Sequence, residues 1–362
     1  MNHDRISMLM FLKRKIMEYS FNELLFAYGS PKTKGRLKAQ NSDFRVDEIM
    51  PIETSGEGEH LWLLIEKDGS NTDWVAQQLA KFCGLKSMAV SYAGMKDRHA
   101  VTTQWFSLHM PGMENPDFSE LADDEFKILK MSRHNRKLKR GALSGNRFKI
   151  RITELSGDIE SLDEKLHLIE QQGVPNYFGK QRFGRDMGNI YKAEKLFSRE
   201  LKKVKKQQRS LYLSAARSWI FNQVLSKRIQ QDNWLLPMSG EVFMLNGKSA
   251  CFTNEGENQE STEEINQRLS NKEINLTSCL WGEGESMATG EVLDLETSTA
   301  SEFKILADGL QSARLKQERR ALRLVPENLN WCVKDNVLEM EFDLPTGTYA
   351  TMLIRECVDI ID

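Results

Sequence analysis

A short polar turn carries the side chains that are best suited to chemistry. The segment SYAGMKDRHAVTTQWFS (Ser91–Ser107) places Asp97 between Lys96 and Arg98 in a turn that contains Gly94. Neighbouring cations favour the ionised form of a carboxylate and lower its pKa. Loops that a rigid scaffold holds are common positions for catalytic groups, so Asp97 is a candidate. The same residues are also typical of a solvated surface turn, because such charge pairs are common on protein surfaces.

The hydrophobic pattern around this turn predicts the elements that would position it. Apolar runs and alternation predict strands, and apolar residues at helical spacing predict helices. The predicted strands are His60–Glu66, Met88–Ala93, Val101–Leu108 and Val337–Phe342. The predicted helices run from about Asn71 to Gly84, over Asp158–Gln172, over Arg209–Gln231, and over Ser301–Leu324 with a basic exposed side.

Charge is segregated along the chain, although the formal net charge is only −2. Lys127–Arg151 contains ten basic residues and no acidic one, and Lys192–Arg209 contains eight basic and two acidic residues. Glu255–Glu302 has twelve acidic residues against two basic ones. Like charges repel unless a polyanion compensates them, so the basic tracts favour contact with RNA phosphates over a solvated face.

Composition disfavours several classes of protein. No run approaches the roughly 18 apolar residues that a membrane-spanning helix needs. The five cysteines are scattered without a CxxC pair and the six histidines do not cluster with them, which predicts neither a zinc site nor a disulfide framework. A length of 362 residues suggests two domains, and a reducing cytoplasm is the expected compartment.

Four motifs resemble, in order along the chain, those of the TruD family of tRNA pseudouridine synthases. GMKDRHAVTTQW at 94–105 is similar to the family's catalytic motif, and GNRF at 145–148 and GVPNYFGKQRFG at 173–184 resemble two later motifs. The remaining motif, which comes first along the chain and is called the first motif below, is matched by Lys38, Asn41, Asp43, Phe44, Val46 and Glu48. Together the matches extend from about Met17 to Cys357, and they are most similar to the bacterial branch.

The resemblance implies a catalytic aspartate and a pocket around it. Asp97 would be the catalytic carboxylate, and Asn146 would hydrogen-bond near it or to the target base. Phe148 would stack on the target uracil and Phe44 would support the pocket. An aromatic face under a flipped base is chemically reasonable, because it replaces the stacking lost from the RNA helix. From the residues by themselves, Phe148 is a core residue of a strand, and Phe44 fits a core position on a half-buried strand as well as it fits a site role.

Lys38, Lys96 and Tyr349 complete the implied substrate-binding set. Lys96 and Arg98 either support Asp97 electrostatically or, in an extended turn, point away from it and contact phosphate. Tyr349 stands where the family has a phenylalanine. Its hydroxyl group would need a hydrogen-bond partner if it were buried.

The fold that the resemblance implies is α+β: a mixed, mainly antiparallel pseudouridine-synthase sheet flanked by helices, with a large inserted α/β domain. The implied catalytic domain comprises residues 17–171 and 325–362, and the insertion comprises 172–324. Residues 1–16 are expected to form a disordered extension, with Met17 as a plausible native start.

The implied activity is isomerisation of uridine at position 13 of tRNA, in the D-arm region, without metal or cofactor. Asp97 would either attack C1′ as a nucleophile or remove the 2′ proton to give a glycal. A non-catalytic RNA-binding module on the same scaffold is the main alternative. A glycosidase is a third candidate, but the turn offers no second carboxylate for its usual acid/base chemistry. The protein is expected to be a monomer.

Overall fold

The structure is a computed structural model that describes residues 18–121, 125–256 and 259–361. The predicted N-terminal extension and Met17 lie outside the described residues. Eight α-helices lie in the part that is described, and none of these is long and apolar enough to span a membrane.

Runs of strands and of helices follow one another along the described chain. The strands are β1 (Thr33–Leu37), β2 (Phe44–Ile49), β3 (His60–Asp68), β4 (Val90–Tyr92), β5 (Val101–His109), β6 (Phe126–His134), β7 (Gly145–Gly157), β8 (Val174–Pro175), β9 (Val242–Leu245), β10 (Cys251–Thr253), β11 (Ile274–Leu280), β12 (Glu318–Ala321), β13 (Arg323–Leu324), β14 (Glu327–Lys334), β15 (Val337–Pro345) and β16 (Asp359–Ile361). The helices are α1 (Thr72–Phe82), α2 (Ile159–Gln172), α3 (Gly188–Phe197), α4 (Lys206–Gln230), α5 (Thr262–Ser270), α6 (Gly290–Glu302), α7 (Lys304–Ser312) and α8 (Ala350–Cys357).

A ten-stranded sheet forms the larger part of the fold. Its main path runs β14-β15-β7-β2-β5-β3-β6, with β4 added to β5 and with β1 joining β7 to β16. The pairs β2–β5 and β1–β16 are parallel and the other pairs are antiparallel. This confirms the predicted α+β class with a mixed, mainly antiparallel sheet.

Two apolar clusters hold helices against this sheet. Alternate residues of β2, β7 and β15 pack against α2 and α8, and alternate residues of β3 and β5 pack against α1. The opposite face of β7 is polar and partly exposed, and it carries Arg147, Lys149 and Arg151.

A smaller four-stranded antiparallel sheet, ordered β10-β9-β11-β12, belongs to the segment between β8 and β13. The long helix α4 is central to its core, which also takes in Tyr19, Phe21 and Leu24 from the beginning of the described chain. The resemblance assigns residues 17–171 to the catalytic domain, but the first described residues of that segment thus pack in the core of the insertion. The domain boundaries themselves stay a prediction.

The chain leaves and re-enters the large sheet at one place. Strands β8 and β13 pair antiparallel, with Val174 opposite Leu324, so the two connections lie side by side. Gly173 ends α2 at a φ of +80°, and a Cβ there would lie 2.5 Å from the Leu324 carbonyl oxygen. A larger residue would therefore push the two connections apart.

The predicted helix over Ser301–Leu324 is wrong beyond its first half. Helix α7 ends at Ser312, and the arginine-rich remainder forms β12 and β13. Arg319 is buried against Glu296, with 2.9 Å between Nη1 and Oε2, and Arg320 donates to the Asn176 backbone and side chain. These guanidinium groups satisfy buried acceptors instead of forming a basic exposed face.

Candidate active site

The loop between β4 and β5 is held from several sides. The Thr72 hydroxyl, at the start of α1, accepts from the Lys96 backbone N–H at 3.1 Å and donates to the Gln104 side chain. Gln104 in turn donates to the Gly94 carbonyl at 3.3 Å, and the Arg98 Nε donates to the Gly69 carbonyl at 3.0 Å. The turn that the sequence predicts between two strands is therefore a fixed loop on a rigid sheet.

Asp97 lies on this loop with its side chain 40% exposed. One oxygen accepts from the Lys38 ammonium and the other from the His99 backbone N–H at 3.0 Å. Partial burial raises the pKa of Asp97, but the hydrogen bond and charge of Lys38 outweigh it, and the pKa lies below its usual value. The site therefore holds an accessible, ionised carboxylate at neutral pH.

The cation that lowers the pKa of Asp97 most is Lys38, which is distant in sequence, and the backbone N–H of nearby His99 adds to the effect. Lys96 and Arg98 were candidates for this role, and neither side chain contacts the Asp97 carboxylate among the described residues. Lys38 reaches it from the bend that follows β1, where its own φ is +59°. The Lys38 ammonium also lies 4.2 Å from the centre of the Phe44 ring, so a cation–π contact fixes its direction.

Lys96 points instead to a buried polar group on the neighbouring strands. Its ammonium lies 3.0 Å from Glu48 Oε1 and donates to Asn146 Oδ1 at 2.7 Å. Glu48 and Asn146 are directly opposite each other in the β2–β7 pairing. Burial raises the pKa of Glu48, and its other oxygen accepts from the Trp105 backbone N–H at 2.9 Å.

Two further residues of the first motif stabilise the bend between β1 and β2. Asp43 is buried and its carboxylate accepts from the Gln40 backbone N–H at 3.0 Å. Asn41 donates to Asp68 at 2.6 Å, which ties the bend to the end of β3. The motif thus supplies Lys38 to Asp97 and also supplies the contacts that hold Lys38 in place.

Lys67 is a site residue that was not predicted. It is fully buried in β3, and its ammonium donates to the Ser70 carbonyl at 2.7 Å and to the Asp97 carbonyl at 3.0 Å. Burial lowers the pKa of Lys67 to about 8. A signal exists in the sequence, because alternation through Leu61, Leu63 and Ile65 places position 67 on the same inward face.

The basic loop at 135–144 is attached directly to the candidate site. The Gly141 N–H donates to the Ala93 carbonyl at 3.1 Å, and the Trp62 indole donates to the Arg136 carbonyl at 3.0 Å. Leu138 is buried between them in a cluster that includes Trp105. The cations of this loop therefore lie next to the strand that precedes Asp97.

The described residues contain no group of three or more histidine, cysteine, aspartate or glutamate side chains arranged to hold a metal ion. All five cysteines are free thiols, and Cys332 is exposed. The polar groups of the site are instead lysines paired with carboxylates and an amide.

Comparison with known proteins bears directly on this arrangement. The family model for tRNA pseudouridine synthase D (TruD) matches residues 20–196 and 185–357. The chain belongs to this family. It is 42% identical to tRNA pseudouridine synthase D of Hydrogenovibrio crunogenus over 342 residues, which are 94% of this chain and 97% of that protein. It is also 42% identical to that of Methylococcus capsulatus over 340 residues, or 94% and 95% of the two chains.

A solved structure shares the fold of this TruD-family chain. The putative tRNA pseudouridine synthase D from Methanosarcina mazei superposes with a TM-score of 0.70 at 22% sequence identity, covering 92% of this chain and 95% of that one. The recognition from four motifs is confirmed, as is the fold class.

The two aromatic residues to which the TruD resemblance assigns a role at the base, Phe44 and Phe148, lie in the apolar core between the sheet and its helices. Phe148 is 8% exposed and stacks on Phe342 with 5.5 Å between ring centres, and Phe44 meets it edge-on at 6.1 Å. Both belong to the apolar cluster under α2 and α8. The structure thus gives each ring a core position, and a role in binding the base stays a prediction.

Tyr349 lies at the junction with the insertion, immediately before α8. Its hydroxyl accepts from Arg182 Nε at 3.0 Å, which provides the partner that the extra hydroxyl requires. Arg182 belongs to the GVPNYFGKQRFG segment, and Tyr349 also packs edge-on against Phe178 of that segment. Among the described residues Tyr349 makes no contact with Asp97, so the structure joins it to the insertion and not to the carboxylate.

Proposed function

We propose that this protein isomerises uridine to pseudouridine in tRNA, with the uridine at position 13 as target and Asp97 as the catalytic carboxylate. The accessible, ionised carboxylate of Asp97, within a motif of the TruD family, is the observation that carries the proposal. The relatives' name states a tRNA pseudouridine synthase activity, and this chain matches them over nearly its whole length.

The reaction breaks the C1′–N1 bond, rotates the uracil, forms a C1′–C5 bond and transfers the C5 proton to N1, so substrate and product are isomers. Asp97 acts by one of two routes. It attacks C1′ and forms a covalent intermediate, or it removes the 2′ proton and gives a glycal. An ionised carboxylate serves both routes, and Lys38 keeps Asp97 ionised.

The target base must leave the RNA stack before Asp97 can reach its sugar. In the proposal the flipped uracil lies beside Asp97 and Asn146, above the ring cluster of Phe44 and Phe148. These rings form the apolar floor of the pocket and keep water from beneath the base. Tyr349, in the catalytic segment, supports the pocket by accepting a hydrogen bond from Arg182 of the insertion.

The partner in this proposal is tRNA, held near its D arm in the cleft between a catalytic domain (17–171 and 325–362) and an insertion (172–324). Phosphates would contact the basic loop beside the site and the tract Lys192–Arg209. All eight cations of that tract are exposed. The protein acts as a cytoplasmic monomer without a metal or cofactor.

The test is a pseudouridine assay on an unmodified tRNA transcript, comparing the wild type with Asp97→Asn. The substitution keeps the shape of the side chain and removes its charge. The proposal expects conversion of the position-13 uridine by the wild type, and RNA binding without conversion by the variant. Binding without conversion by both proteins would instead favour a non-catalytic RNA-binding module. Release of free uracil would identify a glycosidase.

A further inference from the structure

Lys96 is adjacent in sequence to the candidate catalytic aspartate, but its side chain contacts other polar groups. Its side chain is 8% exposed and its ammonium is shared between the Glu48 carboxylate and the Asn146 side-chain oxygen. The Lys96 backbone is fixed by Thr72 at the start of α1. On this loop Asp97 is thus exposed to solvent, whereas the preceding side chain, Lys96, points inward to β2 and β7.

This contact decides the orientation of the Asn146 amide. An ammonium group only donates hydrogen bonds, so the amide atom that faces Lys96 must be the oxygen Oδ1. The nitrogen Nδ2 then faces away from Lys96. It makes no hydrogen bond to any described residue, and Asn146 is half-buried. The two N–H donors of this amide are therefore left without a protein partner on the side away from Lys96.

We propose that Lys96 and Glu48 are positioning residues that fix the amide of Asn146 so that Nδ2 donates to a carbonyl oxygen of the flipped uracil. The inference rests on the proposed function and names the feature of the substrate that Asn146 recognises. Without Lys96 the amide can turn over and present Oδ1, which repels a uracil carbonyl.

Such a donor contributes most while the glycosidic bond is broken. As the C1′–N1 bond breaks, negative charge develops on the departing uracil and is delocalised onto its two carbonyl oxygens. A pre-oriented N–H donor stabilises that charge more than it stabilises the neutral ground state. Loss of the orientation should therefore lower kcat more than it changes the affinity for tRNA.

Glu48 explains why a lysine is stable at this buried position. Its side chain is completely buried, and its second oxygen accepts from the Trp105 backbone. Removing Lys96 would leave this carboxylate buried without a cation, which is strongly destabilising. A loss of activity in Lys96→Met could therefore follow from loss of folding.

The double variant Glu48→Gln/Lys96→Met separates these two effects. It removes both charges together, so its melting temperature should recover most of what Lys96→Met loses. Its kcat on the tRNA transcript should still be about 100-fold below that of the wild type, the usual effect of losing one pre-oriented donor. Its Kd for the transcript should change by less than about threefold, because phosphate contacts dominate RNA affinity.

Asn146→Ala tests whether Lys96 acts through Asn146. In the wild-type background Asn146→Ala should lower kcat by a similar factor of about 100. In the Glu48→Gln/Lys96→Met background it should lower kcat by less than about threefold, because the oriented donor is already lost.

Two results would overturn the inference. One is a double variant with wild-type kcat, which would show that Lys96 merely neutralises Glu48. The other is a full additional loss from Asn146→Ala in the double background, which would show that Asn146 acts independently of Lys96. If the wild-type protein converts no uridine, the proposed function itself fails. The wild-type reaction is therefore measured before any variant is compared.

Discussion

The basic tract Lys127–Arg151 contains two regions with the same kind of residue and different surroundings. In the strand β7, the cations are opposite acidic residues of β15: Asp343 is paired with Arg147, Glu341 with Lys149 and Glu339 with Arg151. In the loop 135–144, Arg136, Lys137, Lys139 and Arg140 are exposed and form no salt bridge with the described residues.

The strand cations are thus neutralised within the protein. Arg147 makes two parallel hydrogen bonds to Asp343, at 2.8 and 2.9 Å. Lys149 lies 3.4 Å from Glu341, and Arg151 lies 3.6 Å from Glu339. A run of ten cations in the sequence therefore overstates the positive charge that is available to RNA. Strand register, which pairs residues almost 200 positions apart, decides which cations remain free.

The first prediction sharpens the contrast between paired and unpaired cations. It concerns Lys38→Met, because Lys38 is a cation that is paired with Asp97. We expect kcat to fall by about 10- to 100-fold, since small misplacements of a catalytic group have effects of that size. Because Lys38 holds the pKa of Asp97 below its usual value, the acid limb of the pH–rate profile should move to higher pH in the variant. A measured kcat profile with an unmoved acid limb would contradict the assignment of Lys38.

The second prediction concerns the loop. In the triple variant Arg136→Gln, Lys137→Gln and Lys139→Gln, the Kd for tRNA should rise by about 10- to 100-fold, and the slope of log Kd against log salt should fall by about 2. The matched control is Lys149→Gln with Arg151→Gln, which removes strand cations that already have carboxylate partners. Equal losses of affinity in the two variants would contradict the distinction between loop and strand.

The third prediction concerns stability. Arg147→Gln should lower the free energy of unfolding at pH 7 by about 1–3 kcal/mol, because it leaves the mostly buried Asp343 carboxylate without its charged donor. The hydrogen bond from Arg147 lowers the pKa of Asp343 in the folded protein, so this contribution is present above the usual aspartate pKa and is lost as pH falls below it. Denaturant unfolding at neutral and acidic pH measures both, and a difference that persists unchanged at acidic pH would count against the pair.

The smallest effect is expected at the Lys149–Glu341 pair. Both side chains are about half exposed, and exposed ion pairs contribute about 0–1 kcal/mol. Lys149→Gln should therefore change the unfolding free energy by less than about 1 kcal/mol and the Kd for tRNA by less than about twofold. A loss of affinity as large as that of the loop variant would place β7 on the RNA surface after all.

Local pattern predicted much of this protein. Alternation and helical spacing predicted the hairpin on both sides of Asp97, the helices α1, α2 and α4, and the strand β15, because the side chains that face the core repeat with the period of each element. The order of four motifs predicted the family and with it the fold class. The helix predicted over Ser301–Leu324 failed where Arg319 and Arg320 are buried by contacts distant in sequence.

The sequence by itself determined which residues are chemically capable: a carboxylate in a tight turn, lysines near it and an amide in a later strand. Only the tertiary structure decided their partners. Lys38 reaches Asp97 from 59 positions away, whereas the adjacent Lys96 turns inward to Glu48 and Asn146. The physical reason is that pairing depends on strand register and on the direction of each side chain, and neighbours in sequence point to opposite sides of an extended backbone.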